Sequence, residues 1–332
     1  MRRRKNRSNQ EGITILAAFI VFLIVGFLIG YNLDYSGETD PTISFAWIDY
    51  GPDIMEYPLE KGMVDHRDIG FEYQKVPDEI LVQSILDGTY DLGTIPASAL
   101  PSLYAQGVDD LVIVGGWYKE PVIGNSSVGR LFVKDGSGIR APKDLKGKRI
   151  ALDSPGSFNT LMLFEVLERD HDVEMSDLDI IYNDLSQVLL ENGEVEGAVV
   201  WSSFIWENKG SGEYISLIDY GKEFADLYST TPPLTLIVAR RGFYESSRQD
   251  VETALLILDD AYEKGMEDLE LIADEYSRMY DVDPRVFISD NMNTRMMFEM
   301  DDDEISSLQK MWDLGAEKGY YASAPDVQVF LP

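Results

Sequence analysis

Ala141-Pro142-Lys143-Asp144-Leu145-Lys146-Gly147-Lys148-Arg149-Ile150-Ala151-Leu152-Asp153-Ser154-Pro155-Gly156-Ser157-Phe158-Asn159-Thr160 decides how the rest of this 332-residue chain is read. It opens as a charged turn, runs through a short apolar strand from Arg149 to Leu152, and crosses a Ser/Pro/Gly loop. A helix is expected from about Ser157, because Leu161, Phe164 and Leu167 recur at helical spacing. Small residues at a helix start leave backbone N–H groups free, and these carry the positive end of the helix dipole. Such an end holds a carboxylate, sulfonate or phosphate without a basic side chain. An ordinary strand-to-helix turn capped by Ser157 uses the same residues, so the stretch takes its meaning from its surroundings.

Those surroundings alternate apolar strands with amphipathic helices. Upstream, strands are expected at Ile43 to Ile48, Gly70 to Tyr73, Asp91 to Ile95 and Leu111 to Val114. Helices are expected at Asp78 to Leu86, stopped by Gly88, and at Ala97 to Gln106. Asp53 to Met63 reads as partly helical, with Pro58 as a breaker. Downstream come strands at Leu178 to Tyr182, Val195 to Trp201, Ile215 to Ile218 and Leu234 to Ala239, with a helix at Leu185 to Asn192. Beyond Ser246 the pattern is helical: Val251, Leu255, Leu258 and Tyr262 share a face, as do Ile305, Leu308 and Trp312. The rhythm predicts an α/β fold with mainly parallel sheet.

Composition bounds the chemistry. The hydrophobic share of 45% is that of a globular protein, and the length suits two domains. No cysteine is present, which excludes disulfides, thiolate metal sites and a cysteine nucleophile. The two histidines, His66 and His171, sit in charged, loop-like sequence, so no metal site is expected. Net charge is −31, yet five basic residues and no acid precede residue 11. From Gly12 onward 23 basic residues face 58 acidic ones, a net charge of −35. Such a surface repels nucleic acid and anionic headgroups.

Residues 12–33 carry no charge and as a helix would span roughly 33 Å, enough for a bilayer core. The basic residues 1–11 before them place the N-terminus in the cytoplasm and the remainder outside. A cleaved signal peptide is the rival, but Gly30-Tyr31-Asn32-Leu33-Asp34 offers no small-x-small cleavage site. Residues 34–41 read as a tether.

With these elements placed, the chain resembles the extracytoplasmic solute-binding proteins of ABC importers, in the branch of sulfonate, taurine, nitrate and thiamine-precursor binders. The resemblance rests on Ile43–Ile48 with Tyr50-Gly51, and on Leu86-Asp87-Gly88-Thr89-Tyr90-Asp91-Leu92-Gly93 ahead of Pro96-Ala97-Ser98. It continues through Ile139 to Ala151, the loop Pro155-Gly156-Ser157, and Asn192-Gly193-Glu194-Val195-Glu196-Gly197-Ala198-Val199-Val200-Trp201. Each piece recurs widely; five in order over residues 42–332 are specific. The resemblance implies a two-lobed α/β, type 2 periplasmic-binding-protein-like fold with a cleft between lobes, here behind one N-terminal transmembrane helix. Lobe one would be 42–134 and 240–332, lobe two 135–239, with Val128–Lys134 and Leu234–Ala239 crossing between them.

The family's binding loops fall on Asp49, Tyr50 and Gly51, on Pro96, Ala97 and Ser98, and on Gly116 and Trp117. In lobe two they fall on Ser154, Gly156, Ser157, Asn159 and Thr160, and on Trp201. Ser202 and Ser203 stand where many relatives carry an acid and a proline, a departure that bears on the solute. Tyr50, Trp117 and Trp201, if convergent, would wall a pocket for a flat ring or a cation. The Ser157 helix start suits an anion instead, and Arg130 and Arg140 are the nearest basic residues. The expected solute is small, polar or anionic. Expected partners are this solute, an ABC permease with its ATPase, and the membrane through the N-terminal helix; no nucleic acid, no cofactor and a monomer are expected. The alternatives are a membrane-tethered ligand sensor and an enzyme on the same fold, the latter without a visible acid–base pair.

Overall fold

Strand β1 (Thr42–Ile48) sends Ile43, Phe45 and Trp47 into one apolar core and Ala46 and Ile48 into another. A strand buried on both faces belongs inside a sheet with helices above and below it. In the computed structural model this holds for most central strands. The structure describes residues 41–49, 53–119, 129–183, 185–200, 204, 208, 211–231, 233–280, 283–292 and 294–332. The basic segment, the apolar span 12–33 and most of the tether therefore lie outside the described residues, as do Tyr50, Gly51 and Trp201. Residues 1–41 form a unit separate from 42–332, and the architecture below is that of 42–332. Among the described residues no helix is long and apolar enough to cross a membrane.

The first sheet has strand order β11-β4-β10-β3-β1-β2, built from β1, β2 (Gly70–Val76), β3 (Leu92–Pro96), β4 (Leu111–Lys119), β10 (Pro233–Arg240) and β11 (Thr294–Met297). The second has order β7-β6-β8-β5-β9, from β5 (Arg130–Lys134), β6 (Arg149–Leu152), β7 (Asp179–Tyr182), β8 (Gly197–Val200) and β9 (Tyr214–Asp219). Each sheet has the same plan. Its four forward strands lie in the order second, first, third, fourth, and one antiparallel strand separates the third from the fourth. That reversed strand is β10 in the first sheet and β5 in the second. The crossing segments read from the sequence thus hydrogen-bond as β5 within the second sheet and β10 within the first.

Helices cover both faces. On one side of the first sheet lie α1 (Glu56–Glu60), α8 (Arg248–Glu267) and α9 (Leu269–Tyr280), contributing Ala254, Leu258 and Ile272 to the core. On the other lie α2 (Asp78–Leu86), α3 (Leu100–Ala105) and the long α11 (Asp302–Glu317). The second sheet packs against α4 (Phe158–His171) and α6 (Tyr220–Tyr228) on one face and α5 (Ser186–Asn192) on the other. Helices α7 (Arg241–Ser246) and α10 (Pro284–Met292) are also formed. Pro58 does not break α1: it sits within the first turn, where its missing N–H has no helical partner to lose.

Strand β4 departs from expectation. It continues through Gly115 and Gly116 to Lys119 rather than ending at Val114. Its pairing with β10 jumps from Val238–Ile113 to Ile237–Gly115, an extra residue on β4. Such a bulge exchanges the two faces of everything beyond it. Val112 and Trp117, of opposite parity, therefore enter the same core. Gly115 is required there, since a Cβ would lie 2.7 Å from the Met297 carbonyl oxygen.

Candidate functional site

The carboxyl ends of the forward strands gather the expected loops on one edge of each sheet. In the first sheet Asp49 follows β1, its amide donating to the Val76 carbonyl at 3.0 Å. Pro96 ends β3 and Ala97 and Ser98 follow it, with the Ala97 amide bonded to the Leu234 carbonyl at 2.9 Å. Gly116 lies mid-strand, paired with Leu236 and Met297. Trp117 is 8% exposed and packs edge-on against Trp47 at 5.1 Å and Tyr262 at 5.8 Å. The bulge turns its ring into the core.

In the second sheet, loop 153–160 closes around its own carboxylate. Ser157 caps α4, its Oγ accepting from the Thr160 amide at 3.1 Å. The same hydroxyl donates to Asp153 Oδ1 at 2.6 Å, and Asn159 Nδ2 donates to Asp153 Oδ2 at 2.9 Å. The Thr160 hydroxyl donates to the Ser154 carbonyl at 2.8 Å. The helix begins where its sequence indicates, but its positive end is already met by Asp153. A bound anion there would share the helix start with a carboxylate.

Around this loop the edge brings together residues that the motifs do not mark. Arg130 starts β5 and is in register with Asp219 at the end of β9. Arg130 Nη2 lies 2.9 Å from Asp219 Oδ2, in an ion pair without hydrogen-bond geometry. Its Nε has no partner among the described residues, and neither does Asn159 Oδ1 or the Tyr220 hydroxyl. Asn159 and Tyr220 are both fully buried. Burial, then the nearby Asp153, push the Tyr220 phenol well above its ordinary value. Arg140, the other basic candidate, pairs with Asp135 at 2.9 Å and is exposed.

The two edges are tied by one element. In α11 the indole Nε1 of Trp312 donates to the Ala97 carbonyl at 2.9 Å. Beyond its C-terminus, Tyr320 lies against Gly156, whose added Cβ would come within 3.2 Å of the ring. Between them Lys318 reaches α4, 3.0 Å from Glu165 and 2.7 Å from Glu168. Tyr320 lies eight positions after Trp312, in the turn that follows α11. Helix α11 and that turn thus reach from Ala97 to Gly156.

Next to the Asp49 loop lies a second polar cluster, largely buried. Asp53 accepts from the Met55 and Glu56 amides at 2.9 and 3.0 Å and from the Tyr73 hydroxyl. Lys75 pairs with Glu56, and Tyr276 Oη lies 3.0 Å from Glu56 Oε2. Burial pushes the Asp53 carboxyl up to about 6, against the lowering effects of Tyr73 and Lys75. Among the described residues no group of three or more His, Asp or Glu is placed to hold a metal ion.

No curated protein sequence matches the chain. Among solved structures, the periplasmic aliphatic sulphonate binding protein of Escherichia coli superposes with a TM-score of 0.71 at 18% identity, covering 88% of this chain and 92% of that one. The alkanesulfonate-binding protein of Xanthomonas axonopodis pv. citri, bound to MOPS, gives 0.71 at 17%, covering 89% and 99%. A Candida albicans protein with the generic periplasmic binding protein fold gives 0.64 at 15%, covering 88% and 96%. These likenesses establish a two-sheet fold of the periplasmic-binding-protein kind. The model of the family described as NMT1/THI5 like matches residues 61–269, more than half of the chain, and the chain belongs to that family.

Proposed function

We propose that the chain is the extracytoplasmic solute-binding component of an ABC importer. It takes a small polar organic solute between the loop tips of its two sheets and hands it to a permease driven by a separate ATPase. The observation that supports this most is the pairing of two equivalent sheets whose carboxyl-end loops, Pro96–Ser98 and Ser154–Thr160, are touched by α11 and by Tyr320 in the turn that follows it. Ligands of open α/β sheets bind outside those strand ends. The structural relatives include sulfonate binders, which puts sulfonates and related solutes first among the compounds to try.

In this reading one lobe carries the first sheet and the other carries the second, and they close on the solute by a hinge. Asp49, Tyr50, Gly51, Pro96, Ala97 and Ser98 would meet it from one side. Ser154, Gly156, Ser157, Asn159, Thr160 and Trp201 would meet it from the other. The apolar span 12–33 holds the body outside the membrane, the basic residues before it facing the cytoplasm. No covalent chemistry is asked of this chain.

Melting curves of the full chain in detergent, recorded with sulfonates, nitrate, pyrimidines and amino-acid-like zwitterions, test the reading. A bound solute at 100 times its Kd stabilises the folded state by about 2.7 kcal/mol. At least one class is expected to raise the melting temperature saturably; no shift with any class would remove the solute-binding assignment.

A further inference from the structure

The chain passes between the two sheets twice, once from β4 to β5 and once from β9 through α6 to β10. A pair of such crossings is a joint about which two sheets can hinge. Helix α11 adds a tie that is not covalent. Its body belongs to the first sheet: Arg295 of β11 lies 2.7 Å from Glu304, and Trp312 holds the Ala97 carbonyl. At the second crossing Lys310 donates to the Tyr228 carbonyl, the last of α6, at 3.0 Å. About two turns beyond Lys310, Lys318 ends α11 and reaches α4 of the second sheet, 3.0 Å from Glu165 and 2.7 Å from Glu168. The Lys318 side chain is 9% exposed and that of Glu165 15%, so water screens this pair little. A hinge motion displaces groups in proportion to their distance from the joint. Lys318 therefore parts from α4 before Lys310 parts from the crossing.

We propose that Lys318 is a positioning residue, whose bridge from α11 to Glu165 and Glu168 holds the two sheets at their observed spacing before any solute arrives. On either side of it, Trp312 on Ala97 and Tyr320 on Gly156 fix the two loops that meet the solute in the reading above. A preset spacing keeps the binding-competent arrangement populated and so spares the solute part of the work of closure. Without the ammonium, Glu165 and Glu168 repel each other, and Arg169, 3.8 Å from Glu165, is the cation left beside them on α4. An ordinary helix cap uses the same lysine, because a cation at a helix C-terminus complements the dipole. The two roles part when the charges are exchanged: a bridge survives the exchange, whereas a cap is inverted by it. The bridge extends the hinge closure of the solute-binding reading, yet it is observable without solute, so its failure and the failure of solute binding are separate outcomes.

The test is the distance between the sheets, read by electron spin resonance on the full, solute-free chain in detergent. The sequence has no cysteine, so Gln249→Cys on α8 and Glu191→Cys on α5, both exposed, carry the only two spin labels. In this labelled background Lys318→Glu is expected to raise the ratio of separated to observed spacing about tenfold or more, the worth of a charge-assisted contact. Lys318→Arg is expected to keep the unsubstituted distribution, and Lys318→Glu combined with Glu168→Lys to restore it. Circular dichroism checks each fold, and if Lys318→Glu does not fold, Lys318→Met is judged by the same ratio. A folded Lys318→Glu or Lys318→Met with an unchanged distance distribution overturns the proposal, even if its melting temperature falls, because a purely stabilising contact moves only the melt. A folded charge exchange that leaves the sheets apart also overturns it and assigns Lys318 to capping α11.

Discussion

Asp53 shows how a single buried group sets a measurable property. Its carboxyl is 8% exposed and titrates near 6 because burial penalises the charged form more than Tyr73 and Lys75 favour it. The folded state therefore binds its proton more tightly than the unfolded state, whose value lies at 3.8. The stability contributed by the protonated form is fully present below about 4 and is lost as pH rises to about 6. Above that window the ionised group costs roughly 2–3 kcal/mol. Asp53→Asn is expected to gain on wild type by about that amount between acid and neutral pH, and urea melts at both ends of the window check it. A gap that stays constant with pH would contradict the assignment. Single residues are also where the sequence is least legible. Trp117 reads as a rim residue because two glycines precede it, but a one-residue bulge, which leaves no mark in hydrophobic periodicity, sends it inward. Asp153 escapes notice because the motif highlights the small residues around it, and a carboxylate folded back onto a helix start has no spacing signature.

At the scale of elements, periodicity is a good guide wherever both neighbours of a segment are apolar. The expected helix after loop 153–157 runs from Phe158 to His171 with Ser157 as its cap, and β1, β3, β7 and β10 lie within two residues of their expected ends. The elements it leaves out, among them α6, α7 and the edge strand β11, which pairs only along β4, lack such a signal. Helix α11 is legible as an amphipathic face through Leu308 and Trp312, and it opens on a capping box in which Asp301 and Glu304 bond each other's amides. Its bridging role is not legible, because the contacts to Ala97 and Gly156 join segments far apart in the chain. Trp312→Phe keeps most of the packing but strands the Ala97 carbonyl, at an expected cost of about 1–3 kcal/mol in chemical denaturation. A variant as stable as wild type would show that the hydrogen bond is not holding that loop. Gly156→Ala meets two obstacles at once, a φ of +73° and the Tyr320 ring. It is expected to lose more than about 1 kcal/mol by the same assay, and an unchanged midpoint would mean that Tyr320 and the loop readily move apart.

Across the whole molecule charge dominates. A body carrying −35 repels itself, while surface ion pairs such as Arg248–Glu252 and Lys222–Asp226 are exposed and individually weak. Raising sodium chloride from about 0.1 to 1 M shortens the Debye length from about 10 to 3 Å. The melting temperature is therefore expected to rise with salt; a fall would mean that the ion pairs outweigh the repulsion. In the proposed function the solute contacts both sheets at once, through loops distant in the chain. The most direct measurement is titration of the best-stabilising solute against wild type, Ser98→Trp and Ser154→Trp, each checked for an unchanged fold. Loss of binding in both variants, one from each sheet, is the predicted result; undiminished affinity in either would contradict it.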